Sequence, residues 1–521
     1  MQRIIWAISG AGLLVFLASS AWLAKLDERG PVGADVELDG GLSASFYLPG
    51  AQPTSRVRVA PLFGEPRPPG VVLMHGFSMD RRSMSSLARA LAGAGYAVLS
   101  IDAAGHGDNR APFHRGWGRA DAHADVFGRA VDFLRASPHV DGGRIAVGGH
   151  SMGASAALDY ATRDSGLDAT LLISGGYRLE GPYRPPNVLV LVAEADPPDT
   201  ARGLAEIAAG LADGSALPPG ETSGDPALGL AVRHVVVAET DHVDVIFATE
   251  TAGEIVSWLD ASFGIERSTP LALADARLPV LGFAMLGALL ALPGLGLLVG
   301  RLVPARAALP AAGPAALAGL ALALVGVLPV LMVGEPLAFL SLEVGDVILS
   351  WLSLAGVALL VVLALRGQLA GLGGEISPVR TLLGAGLGFL VMTLFMQPLH
   401  EVAHGMSLSA GRAGVFAAAA LVVLPFALAY QLLLRRGSPL RAAVSGALGV
   451  VVVLVVMGAA TSLGVLSPVV MLMLGVIGLA FVALEVFAAG VYAQSRNTLV
   501  IAAVAALWLA WITALAVPLR L

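Results

Sequence analysis

Cysteine is absent from the 521 residues, lysine occurs once, at Lys25, and charged side chains make up only 13% of the chain. Without cysteine there are no disulfides, no thiolate metal ligands and no cysteine nucleophile; the compartment stays open, because a large core needs no covalent staples. Basic side chains are also short, 32 Lys and Arg against 38 Asp and Glu, and none form a patch interleaved with aromatics. A nucleic-acid binder that tracks phosphates is thereby excluded. Apolar residues, by contrast, are in excess: 56% of the chain is hydrophobic and 63 residues are glycine. That is too apolar for one soluble globule, so the distribution of the excess decides the class.

The excess falls into three zones. Within residues 1–30, Ile4 to Ala24 is an uncharged apolar stretch with Arg3 before it and Lys25, Asp27, Glu28 and Arg29 after it. It is long enough to cross a hydrocarbon core of about 30 Å, and it reads as a signal anchor. A cleaved signal peptide is the competing reading, because Ala18-Ser19-Ser20 offers small residues to a peptidase, but such peptides usually have an apolar region of only about 7–15 residues. Residues 31–268 have ordinary soluble composition. Residues 269–521 are nearly continuous apolar runs broken by short loops, with eight further spans near 278–300, 314–334, 345–365, 381–400, 413–434, 441–463, 466–490 and 498–517. With Arg3 inside, alternation puts Arg301, Arg306, Arg366, Arg380, Arg435, Arg436, Arg441 and Arg496 on the inner face as well. This bias predicts an integral, multi-pass membrane protein whose middle zone lies on the extracytoplasmic side.

The middle zone alternates short β-rich runs with longer amphipathic segments, the α/β signature. The runs at 70–74, 97–101, 144–147, 170–173, 188–192 and 234–237 lack polar alternation, as strands covered on both faces of a parallel sheet should. Helical patterns lie at 84–94, 120–136, 154–162, 201–211 and 243–263, and a hairpin at 36–48 turns at Asp39-Gly40-Gly41. Gly175–Asn187 is too short to hold a sizeable lid; the Pro/Gly/Ser-rich Gly214–Pro226 could partly cover a site at the strand ends.

At the third of these runs a strand enters Gly149-His150-Ser151-Met152-Gly153 and leaves as the small helix-forming residues 154–157. A strand-to-helix turn this tight strains the backbone at Ser151, so the positions two residues either side must lack bulk. The helix N-terminus that follows aims free N–H groups at the place where an oxyanion would form. This segment resembles the nucleophile elbow of the α/β-hydrolase superfamily, in its esterase, monoacylglycerol-lipase and serine-aminopeptidase-like branches. Two upstream motifs agree: His75-Gly76-Phe77-Ser78 is similar to the family's His-Gly oxyanion turn, and Asp102-Ala103-Ala104-Gly105-His106-Gly107 to its Asp-x-x-Gly-His-Gly loop. The family usually carries arginine where Ala104 stands, so the loop's usual ion pairing cannot use that position. The resemblance covers about residues 35–263. It implies an α/β-hydrolase fold fused to an all-α membrane bundle, with oxyanion N–H donors at Phe77 and Met152 and substrate contacts from His75, Gly76 and His150.

A serine hydroxyl needs a base, and the base an orienting acid. Ala193-Glu194-Ala195-Asp196 follows one strand and Glu239-Thr240-Asp241-His242 another, so the family's order of Ser, acid and His is met by Ser151, Asp196 and His242. Glu194 and Asp199 compete with Asp196 for the acid's position. His234, at a strand start, lies on the wrong edge.

One motif lies outside the α/β-hydrolase resemblance. His400-Glu401-Val402-Ala403-His404 has the zinc-protease spacing, which on a helix puts two imidazoles on one face with Glu401 as a base. A third ligand would have to come from Glu335, Glu343 or Asp346, since Glu485 falls at the opposite membrane face. The bland alternatives are a polar cluster that docks the soluble domain, or a proton relay. The expected function is therefore a membrane-embedded serine hydrolase that needs no cofactor and acts on an amphiphilic acyl ester or amide beside the lipid bilayer. The rival is a transporter or zinc-dependent membrane peptidase with an accessory hydrolase-like domain.

Overall fold

In the computed structural model the described residues are 2–31, 33–50, 67–113, 121–176, 182–268, 270–311, 313–334, 338–369, 377–400 and 402–520. They form two compact units: one of Met1–Ala21, Leu281–Pro398 and Met406–Val517, the other of Trp22–Val280, Leu399–Gly405 and Pro518–Leu521. The soluble unit thus includes two short segments from far along the chain.

The soluble unit is built on a nine-stranded sheet: β1 (Gly33–Leu38), β2 (Leu42–Tyr47), β3 (Pro69–Met74), β4 (Ala97–Ile101), β5 (Asp141–His150), β6 (Ala169–Ile173), β7 (Val188–Ala195), β8 (Thr222–Ser223) and β9 (Val232–Asp241). Their order is β1-β2-β4-β3-β5-β6-β7-β9-β8. The strands from β4 to β9 run parallel, whereas β1, β2 and β8 pair antiparallel at the edges. All six buried runs seen in the sequence are strands. β3, β4 and β6 are buried along their whole length because the sheet is covered on both faces. The hairpin turns at Gly40 and Gly41, both at φ 74°, which glycine adopts without the Cβ penalty.

The covering helices are α2 (Ser85–Gly93), α3 (Asp121–Ala136), α4 (Met152–Ala161), α5 (Pro198–Leu211) and α6 (Thr249–Phe263); α1 (Gln2–Asp27) precedes the sheet. One core packs Leu87, Leu91, Ile255 and Leu259 against Val71 and Leu189, and another packs Phe127, Val131, Ala157 and Ala161 against Val72 and Val147. The single helix expected over 243–263 is instead a 3-10 turn, Asp244–Phe247, and then α6, with Ala248 extended between them. The stretch 214–226 holds the edge strand β8, which pairs with β9.

The other unit is helical: α7 (Arg277–Leu302), α8 (Pro314–Gly326), α9 (Leu328–Val333), α10 (Gly345–Leu365), α11 (Pro378–Leu394), α12 (Ala410–Leu434), α13 (Pro439–Ser462), α14 (Val469–Ser495) and α15 (Thr498–Ala516). Counting α1, and α8 with α9 as one span, nine helices among the described residues are long and apolar enough to cross a membrane. These match the nine apolar runs of the sequence. Ser9 Oγ on α1 accepts from Gly294 N–H on α7 at 2.9 Å.

Glu485, a costly residue in lipid, has a partner. Arg435 at the end of α12 is fully buried, and its Nη2 donates to Glu485 Oε2 on α14 at 2.5 Å. Nε donates to Gln431 Oε1 at 2.7 Å. Gly446 on α13 leaves the room, because a Cβ there would collide with the Glu485 carboxylate. A buried charge without such a partner would be strongly destabilising.

Candidate active site

β5 delivers Ser151 and α4 carries the chain away from it. Ser151 has φ 51° and ψ −111°, a strained conformation for a side-chain-bearing residue that the surrounding structure must hold. The two glycines of the motif meet the expected requirement: a Cβ on Gly149 would lie 2.5 Å from Met74 O, and one on Gly153 would collide with the same carbonyl. Ser151 N–H donates to Ile173 O at 2.8 Å, which ties the turn to β6.

Ser151, His242 and Asp196 come together from three strand ends. His242 Nε2 lies 3.0 Å from Ser151 Oγ, and its Nδ1 lies 2.6 Å from Asp196 Oδ1. The second carboxylate oxygen, Oδ2, accepts from Ser174 Oγ at 2.7 Å and from Ala193 N–H at 2.8 Å. Burial disfavours the Asp196 charge, but the hydrogen bonds from His242 and Ser174 more than offset it and hold the carboxyl below its usual range. The competing acids lie elsewhere: Glu194 accepts from Glu239 N–H at 2.8 Å, and Asp199 pairs with Arg202 in solvent. Ser174, which completes the acid's hydrogen bonds, was not singled out by any motif.

Met152 opens α4, so its N–H is among the first-turn donors that have no partner within the helix. Phe77 stands in the turn after β3, half-buried against His106 and Phe113, with ring centroids 5.8 Å from each. His75 is fully buried; its Nδ1 donates to Gly76 O at 2.7 Å and its Nε2 accepts from Ala103 N–H at 3.0 Å. Both ring nitrogens are thus taken up by backbone, and His75 joins two loops where a substrate contact was expected. His150 Nε2 donates to His242 O at 2.6 Å, and Gly76 lacks a Cβ that would sit 2.7 Å from His150 Nδ1. Burial, with the nearby His242, pushes the His150 imidazole down to about 3, so it stays neutral.

The missing loop arginine is replaced from another element. Arg81, in the 3-10 turn that precedes α2, places Nη1 2.5 Å from Asp102 Oδ2 and 2.9 Å from Asp108 Oδ2, and its N–H donates to Asp102 Oδ1 at 2.8 Å. The acids of this loop are thus paired with a cation from outside the motif.

The zinc-like spacing is not displayed on a helix. α11 ends at Leu394, Gln397–Leu399 is a 3-10 turn, and the N–H groups of Val402, Ala403 and His404 all donate to Leu399 O. One turn forms and does not propagate, since Pro398 precedes it and Gly405 follows. His404 Nδ1 donates to Gly405 O at 2.9 Å and stands 3.9 Å from Asp80 Oδ2. Glu401 and Glu335 lie outside the described residues. Asp346 accepts from Leu342 N–H at 3.1 Å, and Glu485 is held by Arg435. Among the described residues no three His, Asp or Glu side chains are grouped to hold a metal ion.

Residues 66–203 match the family model described as serine aminopeptidase, S33. The matched stretch holds Ser151 and Asp196 and stops before His242. This domain has the α/β-hydrolase fold. Solved structures similar to it include an esterase of Pyrococcus furiosus, 15% identical over 45% of this chain and 94% of that one with a TM-score of 0.33. A dienelactone hydrolase-like promiscuous phosphotriesterase from metagenomic libraries is 19% identical over 45% of this chain and 99% of its own, with a TM-score of 0.33. No curated protein matches the chain.

Proposed function

We propose that the protein is a membrane-embedded serine hydrolase that cleaves an ester or amide through an acyl-Ser151 intermediate. The observation that carries this reading is His242, which bridges Ser151 Oγ at 3.0 Å and Asp196 at 2.6 Å. His242 Nε2 takes the hydroxyl proton as Oγ attacks the substrate carbonyl, and Asp196 holds the imidazole tautomer and stabilises the imidazolium. The N–H groups of Met152 and Phe77 receive the oxyanion. As the tetrahedral adduct collapses, the bond to the leaving group breaks and His242 returns the proton to it. Water, deprotonated by the same imidazole, then attacks the acyl-serine, and Ser151 recovers its proton.

The substrate class follows from the setting. Gly175–Asn187 has no helix among its described residues, and 177–181 lie outside them, so nothing described there forms a lid. Nine apolar helices among the described residues favour an amphiphilic acyl substrate that reaches the site from lipid. The one-sided arginines favour a hydrolase domain on the extracytoplasmic side. The test is hydrolysis of p-nitrophenyl acyl esters by the full chain in detergent. Wild-type protein should turn over esters and prefer longer acyl chains, and Ser151→Ala should fall to the background rate; equal rates for the two proteins would end the proposal.

A further inference from the structure

Leu399–Gly405 lies between two apolar helices in the sequence yet belongs to the hydrolase unit, where it bonds to Asp80 and Ser85, just after the turn that carries Phe77. That turn is under strain. Met79 N–H donates to Gly76 O at 3.2 Å, which closes a four-residue turn, and the third position is Ser78 at φ 62°. A positive φ there usually calls for glycine or asparagine. Backbone held in such a conformation persists only where its surroundings over-determine it.

The next residue but one ties the chain just after the turn to Gly405. Asp80 is 2% exposed, and its carboxylate is fully engaged: Oδ1 accepts from Arg82 N–H at 2.9 Å, and Oδ2 accepts from Gly405 N–H at 2.7 Å. Burial opposes the charge on Asp80, but His404, Arg82 and the Gly405 N–H hold its carboxyl below the usual range. Only glycine permits this approach, because a Cβ on residue 405 would collide with Asp80 Oδ2. A second bond steadies the segment, as Ser85 Oγ donates to Val402 O at 3.2 Å.

We propose that the Gly405–Asp80 clasp is a positioning device for the oxyanion donor: it holds the strained Gly76–Met79 turn so that the Phe77 N–H points at the developing oxyanion. This rests on the serine-hydrolase reading. It gives the His-rich segment a purpose that its zinc-like spacing obscures. An oxyanion donor acts on the transition state far more than on the bound ester, so its misplacement lowers kcat and leaves KM nearly unchanged.

The experiment compares full-length wild-type protein with Gly405→Ala, Asp80→Asn and the double variant in detergent, using p-nitrophenyl butyrate. Asp80→Asn leaves one carbonyl oxygen for the two backbone donors, Arg82 N–H and Gly405 N–H, and turns an NH2 toward the other, so it breaks the carboxylate's bridge without crowding and carries the test should Gly405→Ala fail to fold. Each single variant should lower kcat by about 10- to 100-fold with KM within about twofold. The double variant should be no worse than the poorer single one, because both break the same bond. A folded Asp80→Asn protein with wild-type kcat, a loss confined to KM, or fully additive losses would overturn the clasp while Ser151-dependent turnover persists. If Ser151→Ala retains wild-type turnover, the hydrolase reading itself fails.

Discussion

Arg81 and Asp102 form a buried ion pair, Nη1 to Oδ2 at 2.5 Å, although no motif in the chain announces it. Arg81 is 3% exposed and Asp102 not at all, so neither charge has water to fall back on. Removing one partner strands the other, a cost of about 3–5 kcal/mol. Arg81→Met should therefore lower the thermal midpoint of the hydrolase domain markedly, as followed by circular dichroism. Arg81→Lys should recover only part of the loss, since a point charge cannot reach Asp102, Asp108 and Asp35 in the forked geometry of guanidinium. A midpoint unchanged in Arg81→Met would show the pair to be dispensable.

In the helical unit, Arg435→Leu should be poorly expressed or aggregated, because Glu485 would keep a buried charge with no counter-ion. Arg435→Gln combined with Glu485→Gln should be far milder, since neutral amides can hydrogen-bond to each other. Size-exclusion profiles in detergent read the difference. Equal behaviour of the single and double variants would argue against a mutually dependent pair.

The depressed imidazole of His150 gives acid sensitivity of a definite sign. Between the ordinary histidine value near 6.5 and the folded value of about 3, the unfolded chain binds a proton that the folded chain does not. Stability from this group is complete above about pH 6.5 and is lost as pH falls toward 3. The fully buried His75 imidazole, also pushed down by burial, acts in the same direction. The thermal midpoint should fall between pH 6.5 and 4, and His150→Gln should flatten that slope; an unaltered slope would contradict the argument.

Arginine placement predicts orientation. A reporter fused after Phe263 should be active outside the cytoplasm and one fused at Gly437 inside it. A cytoplasmic signal from the first fusion would move the substrate to the inner leaflet.

What could be read from the sequence divides along physical lines. Strands buried on both faces announce themselves as unbroken apolar runs, and the elbow does so because its steric demand falls on Gly149 and Gly153, both local. The choice of Asp196 over Glu194 and Asp199 was open in the sequence, because all three leave the same strand end and only the position of His242 separates them. Arg81 was not legible: its partners, Asp35, Asp102 and Asp108, come from distant stretches of chain. The conformation around His400 and His404 was not legible either. Their spacing implies a helix, but Pro398 and Gly405 limit the segment to one turn, and its N–H at Gly405 is committed to Asp80.

The central claim is that Ser151 is an activated nucleophile, and site-mapped fluorophosphonate labelling tests it most directly. An activated serine beside oxyanion donors attacks such phosphorus centres. Purified wild-type protein should gain one adduct, located by peptide mass spectrometry on Ser151; Ser151→Ala should gain none, His242→Ala should label far more slowly, and Asp196→Asn should fall between. No adduct on the wild-type protein, or undiminished labelling of Ser151→Ala, would contradict the account.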